Sequence, residues 1–402
     1  MNDPWTDFLA ASERAPVAGY FERGDAPGTP GRWAASFTEP SDRFTVTVDS
    51  DAASLDALTA RHLRGDPQRA IVGYVGFDAV SAWEPLLRRY PRGGPFPLGE
   101  FAVVPRLRRQ RVPRPHPASM RGTSPPHHAV PALAETLGPA AFRRAVVRTR
   151  RAIGEGEAFQ VVVASRRSFP RPGDLLERAT HLRARERYAY FYYLRFDDRE
   201  IVGASPESVL EVERGRAFVS PIAGTRPRGA AGTRRRPLRH DAKELAEHRM
   251  LVDLARNDLG RISESGTVRI LWRERREAFA RLEHLISRVA GTIKPGIGPW
   301  SALAATFPAG TVSGAPKIRA TEILRAQERC WRGPYGGAVG CVTGDGRAAW
   351  ALAIRSAFAA RDRIYTQAGA GIVWGSEPAR EFREVRAKLA QVEASMVGGP
   401  RG

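Results

Sequence analysis

Apolar and polar residues alternate with a period of two over "RFTVTVDS" (43–50), which predicts a strand. The apolar run "AIVGYVGFDAV" (70–80) predicts a buried strand that turns on its glycines. Between them, "SLDALTARHL" (54–63) has helical spacing and opens on Ser54, a residue suited to capping a helix. From residue 139 the pattern predicts a helix, a glycine turn and a strand at 158–168. Further strands are expected at 187–195, 200–204, 208–213, 216–220, 266–273, 284–293, 336–342, 348–358 and 363–373. Helices are expected at 241–257, 300–305, 316–329 and 377–396. Short turns join most strands, so antiparallel pairing should dominate and the class is α+β. Residues 112–131 lose periodicity and become rich in Pro, His and Arg. The chain therefore divides into an N-terminal region (1–111), a linker or loop (112–138) and a larger region (139–396).

Composition narrows the function. The 402 residues are 42% hydrophobic and 26% charged, which suits a globular chain with a sizeable core. No apolar run is long enough to span a membrane, and the first residues do not resemble a signal peptide. A cytoplasmic location is expected. Cys330 and Cys341 have neither disulfide nor metal spacing and read as buried thiols. The net charge of +20 invites a polyanion partner. However, the excess is almost all arginine, spread along the chain, and no nucleic-acid motif accompanies it. The arginine cluster at 226–240 reads as a solvated loop, as do His116, His127 and His128 in the linker. No nucleic-acid partner is expected.

Several positions carry candidate chemistry. "FPAGTVSGAPK" (307–317) combines glycines, two hydroxyls and Lys317, one of only four lysines, as an anion cradle would. It is not a nucleotide P-loop, because the lysine does not directly follow the last glycine. Glu244 and Glu247 stand three apart on one expected helix. Glu381 and Glu384 stand three apart on another, with Lys388 one turn further. Each pair shares a helix face. Two readings stay open: ordinary charged faces, or facing carboxylates that hold Mg²⁺. Glu207, in the apolar turn "GASPES", is either a turn residue or a general acid with a raised pKa. His284 opens an apolar strand, as either a structural or a functional histidine. Arg355 lies inside an otherwise apolar strand and calls for a carboxylate partner. Tyr335 lies among glycines.

Nine segments taken together resemble the chorismate-utilising enzymes, most closely anthranilate synthase component I. In order they are "EGEAFQVVVASRR", "IVGASPE", "PIAGTRPRG", "KELAEHRMLVDLARNDLGRI", "EHLISRV", "FPAGTVSGAPKIRATEIL", "GPYGGAVG", "AIRSA" and "QAGAGIVWGSEPAREFREVRAKL", within residues 139–395. The resemblance implies a sandwich of two large, mostly antiparallel sheets wrapped by helices, with the active site in a cleft. It implies Mg²⁺ on Glu247 and Glu384, supported by Glu244 and Glu381. It places Tyr335, Arg355 and the backbone of Gly369 and Gly371 at the enolpyruvyl carboxylate, with Lys388 in the same site. It makes Glu207 the acid that protonates the departing C4 hydroxyl. Thr311 and His284 become the wall facing the ring, with His284 involved in the loss of pyruvate. Lys317 is left between capping the loop on an acid and touching substrate.

Two positions sort the branches of the family. Isochorismate and salicylate synthases activate water with a lysine where this chain has Gln160, and an amide cannot act as a base. Aminodeoxychorismate synthases often carry a nucleophilic lysine where this chain has Ala223. The resemblance therefore implies ammonia adding at C2 to give 2-amino-2-deoxyisochorismate, then anthranilate and pyruvate. A 4-amino-4-deoxychorismate synthase is the alternative, and an isochorismate or salicylate synthase a third. Ammonia would come from a separate glutamine amidotransferase subunit. Tryptophan-regulated members carry an "LLES"-like and an "NPSPY"-like segment, which here read "GYFER" and "ERYAY". Arg23 replaces the serine and the prolines are gone, which implies little tryptophan feedback and a role in secondary metabolism, such as antibiotic biosynthesis.

Overall fold

A computed structural model describes residues 3–24, 32–88, 93–112, 131–171, 173–186, 188–227, 242–279, 282–328 and 330–398. Residues 113–130 of the expected linker, with its three histidines, and residues 228–240 of the arginine-rich loop lie outside them; 131–138 are described and include the short strand Ala134–Glu135. The described strands form two ten-stranded antiparallel sheets. The first sheet contains Gln160–Pro170, Arg363–Ile372, Ser356–Ala360, Arg199–Ser205 and Tyr190–Phe196, in that order. The second contains Ile222–Pro227, Leu282–Thr292, Arg216–Val219, Ser208–Glu213, Ala348–Leu352 and Ala338–Thr343. The N-terminal region completes both sheets. Val17–Arg23 pairs with Tyr190–Phe196, and Ala70–Val75 pairs with Ala338–Thr343.

The sandwich follows from strands that are apolar on both faces. Tyr190, Tyr192, Leu194 and Phe196 pack with Val72, Tyr74 and Ala102 of the other sheet. The intervening Phe191 and Tyr193 face outward and pack with Trp5, Phe8 and Leu182 of the covering helices. On the second sheet, Ile71, Val75, Phe101 and Val103 face helical residues such as Leu55, Leu259 and Trp300. Each such large side chain contributes about 1.5–3 kcal/mol by leaving water.

One feature of this topology builds the site. Arg199–Ser205 of the first sheet continues through Pro206 and Glu207 into Ser208–Glu213 of the second. Its partner runs the other way, from Ala348–Leu352 of the second sheet through Ala353–Arg355 into Ser356–Ala360 of the first. Gly203 pairs with Ser356 and Ser208 with Ala351, which is the same register on either side of the crossing. At the crossing, the Leu352 N–H donates to Glu207 O (2.9 Å) and the Ala204 N–H to Arg355 O (3.2 Å). A single two-stranded ribbon thus passes from sheet to sheet and bends at Glu207 and Arg355.

The structure corrects several sequence expectations. The strand expected over 348–358 is broken at Arg355, whose φ of +52° is left-handed, and its halves join different sheets. Arg355 is therefore at a joint, not inside a strand. The helix Ala52–Leu63 is capped by Asp51, whose side chain accepts from the Ser54 N–H, so Ser54 is a capped residue and not the cap. The strand Ile222–Pro227 and the helix Leu176–Arg185 lacked a clear period and were not expected.

Lys317 does not face an anion from solution. Its Nζ is 2.7 Å from Asp258 Oδ2 and 2.9 Å from the Thr306 carbonyl, so it ties the loop to the helix Ala242–Ile262. Removing one member of a buried pair strands the other charge. Lys317→Met should lose about 3 kcal/mol of unfolding free energy in urea titrations. Adding Asp258→Leu should recover most of that loss, and a double variant no better than the single one would refute the pairing.

Candidate active site

A cavity of about 190 Å³ lies at the bend of the ribbon. Glu207 and Arg355 line it from the two crossing segments. Thr311 and Val312, from the short helix Gly310–Ser313 in the glycine loop, line another side. Two longer helices each present one stripe to it. Glu244, Glu247 and Leu251 come from Ala242–Ile262, and Glu381, Glu384 and Lys388 from Pro378–Glu393. Both triplets are spaced i, i+3, i+7, which aligns them on one helix face.

Glu207 is buried and accepts a hydrogen bond from Thr311 Oγ1 at 2.9 Å. Burial pushes its carboxyl up to about 8, against the Thr311 hydroxyl and the Ile222 backbone, which favour the anion. The group therefore keeps its proton near neutral pH. Ser205 Oγ braces the turn, donating to Glu207 O and accepting from the Glu207 N–H. His284, from Leu282–Thr292, is buried and lines the same cavity.

The other end of the cavity is rich in donors. Arg355 donates to the side-chain oxygen of Gln391, a neutral acceptor, where the sequence called for a carboxylate. Burial pulls the Arg355 guanidinium below its ordinary pKa, with Glu186 opposing. Tyr335 is buried, and burial pushes its hydroxyl up to about 12, so it stays a neutral donor. Lys388 Nζ reaches Glu384 Oε1 (2.7 Å) and the Gly369 carbonyl (2.9 Å). Gly371 is glycine for a steric reason. A Cβ there would lie 2.2 Å from Gln160 Nε2, which crosses the strand to donate to Glu247 Oε1 at 2.9 Å.

The site thus gathers Glu207, His284, Thr311, Tyr335, Arg355 and Lys388, together with Gln160, Gly369, Gly371 and the four glutamates. Ala223 is the exception: its backbone pairs with Leu285, and its side chain lies outside the described residues. Among the described residues, no three or more His, Cys, Asp or Glu side chains are arranged to hold a metal ion. Glu247 is engaged by Gln160, and Glu384 by Lys388. One carboxylate from each helix still suits Mg²⁺, which keeps several waters and needs only one or two. Sequence reasoning missed Gln367 and Arg380, which also line the cavity. Gln367 was legible in principle, since it alternates with Gly369 and Gly371 on one strand face.

Comparison with known proteins shows the family. Residues 28–394 match the family of chorismate binding enzymes, and the chain belongs to that family. It is 45% identical over 296 residues to anthranilate synthase component 1 of Streptomyces coelicolor, across 70% of this chain and 57% of that protein. It is 36% identical over 337 residues to anthranilate synthase component 1 of Saccharolobus solfataricus, across 81% and 80% of the two chains. The crystal structure of anthranilate synthase component I from Streptococcus pneumoniae superposes with a TM-score of 0.75 at 30% identity, covering 92% of this chain and 93% of that one. No helix among the described residues is long and apolar enough to cross a membrane.

The raised pKa of Glu207 has a consequence for stability that does not depend on any reaction. The folded protein keeps a proton that the unfolded chain releases above the ordinary value of 4.5. Stability should therefore fall as pH rises from 4.5 toward 8 and level off above that. Glu207→Gln removes this term. The variant should gain on the wild type by an amount on the order of a few kcal/mol between those limits, read from urea midpoints across pH. A constant difference would show that Glu207 titrates normally.

Proposed function

We propose that this protein aminates chorismate at C2 with ammonia, giving 2-amino-2-deoxyisochorismate, and then eliminates pyruvate to leave anthranilate. The observation that carries this reading is Glu207, a buried, protonated carboxyl in a cavity whose far end is lined by Arg355, Tyr335 and Lys388. Chorismate carries two carboxylates and loses its C4 hydroxyl, so it needs cations and a proton donor at separate points.

Thr311 and the Ile222 backbone both donate to the Glu207 carboxyl and hold it in place, while burial keeps it protonated. Ammonia forms its bond to C2 as both ring double bonds shift, from C1–C2 to C1–C6 and from C5–C6 to C4–C5, and the C4–O bond breaks. Glu207 protonates the departing oxygen, water leaves, and the new amine sheds a proton. Loss of the C2 proton with cleavage of the enolpyruvyl C–O bond then gives pyruvate, with His284 facing this second step. Arg355 and Tyr335 hold the enolpyruvyl carboxylate beside the backbone of Gly369 and Gly371. Glu247 and Glu384, supported by Glu244 and Glu381, would hold Mg²⁺. When bound, the ion neutralises the ring carboxylate. Gln160 has no basic nitrogen to activate water, which favours ammonia as nucleophile. The ammonia comes from a separate glutamine amidotransferase subunit.

We also propose that the enzyme works without tryptophan feedback, in a pathway of secondary metabolism. In support, Arg23 extends from the first sheet to Glu211 of the second (2.8 Å). Glu211 also binds Arg288 (2.7 Å) and accepts from the Tyr190 hydroxyl. These side chains take up much of the region named by "GYFER" and "ERYAY", and the cavity beside Tyr190 and Glu211 is only about 20 Å³.

Incubation with chorismate, Mg²⁺ and ammonium should yield anthranilate and equimolar pyruvate, with a rate indifferent to saturating tryptophan. An amine at C4, or no amination, would overturn the reading. Glu207→Gln should lower kcat by about 10²–10⁴-fold with a smaller effect on KM. At constant free ammonia, wild-type kcat should fall as pH rises through about 8, where Glu207 loses its proton. Glu247→Gln and Glu384→Gln should each abolish Mg²⁺-dependent turnover without shifting the unfolding midpoint by more than about 1 kcal/mol. Full activity in both variants would remove the metal assignment.

A further inference from the structure

Gln367 is an amide in an expensive position. It is 3% exposed, it lines the cavity, and neither its Oε1 nor its Nε2 has a hydrogen-bond partner among the described residues. A buried amide left unsatisfied at both ends destabilises a fold unless something else completes it. Its neighbours on the strand ladder are already committed. The last pair between the two strands is Ala357 with Thr366, so one residue further along Gln367 stands opposite Ser356. The Ser356 hydroxyl donates to the Ile354 carbonyl (2.8 Å) and meets the Tyr192 hydroxyl (2.7 Å). Arg355, the residue before it, donates to Gln391.

Strand alternation fixes where Gln367 points. Ala368, Ala370 and Ile372 pack with Val385 and Leu389 of the covering helix. Gln367, Gly369 and Gly371 therefore face the other way. The two glycines carry no side chain there, although Gln160 crosses over Gly371, so Gln367 is the only side chain among the three. It lies along the strand from Gly369 and across the ladder from the joint that carries Arg355.

We propose that Gln367 is a substrate-contacting residue, whose amide N–H groups hold the carboxylate of the enolpyruvyl side chain beside Arg355. This rests on chorismate being the substrate. The amide contributes direction where Arg355 and Lys388 contribute charge. Two N–H groups on a short, buried stem fix the plane of the carboxylate, and with it the orientation of the C–O bond that breaks when pyruvate leaves.

The test combines binding, kinetics and stability in Gln367→Leu and Gln367→Glu. In the absence of substrate, Gln367→Leu should melt at the same temperature as the wild type or higher, because it removes an unsatisfied buried amide. Chorismate should bind it about tenfold more weakly by calorimetry, and KM should rise by a similar factor with less change in kcat. Gln367→Glu should bind more weakly still, with affinity recovering as pH falls, because it sets a carboxylate against a carboxylate. A lower melting temperature for the unliganded leucine variant with unchanged chorismate affinity would make Gln367 structural and overturn the proposal. Unchanged affinity and KM at an unchanged melting temperature would also overturn it. If the wild type binds chorismate but does not aminate it, the functional reading fails while the comparison of affinities still decides Gln367. If the wild type does not bind chorismate at all, both fall.

Discussion

The bend in the two-stranded ribbon is the constraint on which the site depends. Two paired strands must leave one sheet and enter the other without losing register, and only a short segment of each can turn. Glu207 occupies one of those segments and Arg355 the other. The backbone bonds of Leu352 to Glu207 and of Ala204 to Arg355 hold the ladder together through the turn. The left-handed φ at Arg355 strains a non-glycine residue, and such strain persists only where the surrounding structure fixes it. Here the pairing on either side of the joint does so. The acid and the arginine are therefore placed by the main chain of both sheets at once.

The same bend explains why one cavity can hold a neutral acid and a cluster of cations. Glu207 lies against Ile222 and Val312, where burial outweighs the bonds that favour its anion. The arginine and lysine lie toward the helix Pro378–Glu393, where Glu384, Gln391 and the Gly369 carbonyl receive them. One cavity thus holds a carboxyl that burial keeps protonated and an arginine seated on Gln391, the combination that acid catalysis on an anionic substrate needs.

Part of the large arginine content has a structural use. Three buried glutamates each act as a hub. Glu22 receives Arg32, Arg183, Tyr20 and Tyr188. Glu200 receives Arg171, Arg195 and Tyr193. Glu211 receives Arg23, Arg288 and Tyr190. Burial pushes Glu211 up, but the two arginines more than offset this and hold it below its usual range. Arg183 is shared with Asp3 and Arg195 with Asp174, so the hubs at Glu22 and Glu200 balance their charges and only that at Glu211 holds an extra arginine.

Periodicity in the sequence was enough for the class and for most elements, because strands with apolar side chains on alternating faces and helices with one charged stripe are local patterns. It was also enough to put Glu244 with Glu247, and Glu381 with Glu384 and Lys388, on common helix faces, since that follows from 3.6 residues per turn. The family's motifs carried the rest of the site list, and all of it except the Ala223 side chain lines one cavity. What lay beyond the sequence was long-range. Residues 348–358 read as one strand because the run is almost wholly small and apolar, and nothing local marks the change of sheet at Arg355. Lys317 resembled an anion-binding residue until its contact with Asp258, 59 positions away, was visible. That Gln160 donates to Glu247, 87 positions away, was likewise out of reach of any local pattern. Sequence determined which residues carry charge and which face of each element they occupy. Tertiary structure decided which charges meet, because that depends on how two sheets and two helices approach across a gap that no local pattern encodes.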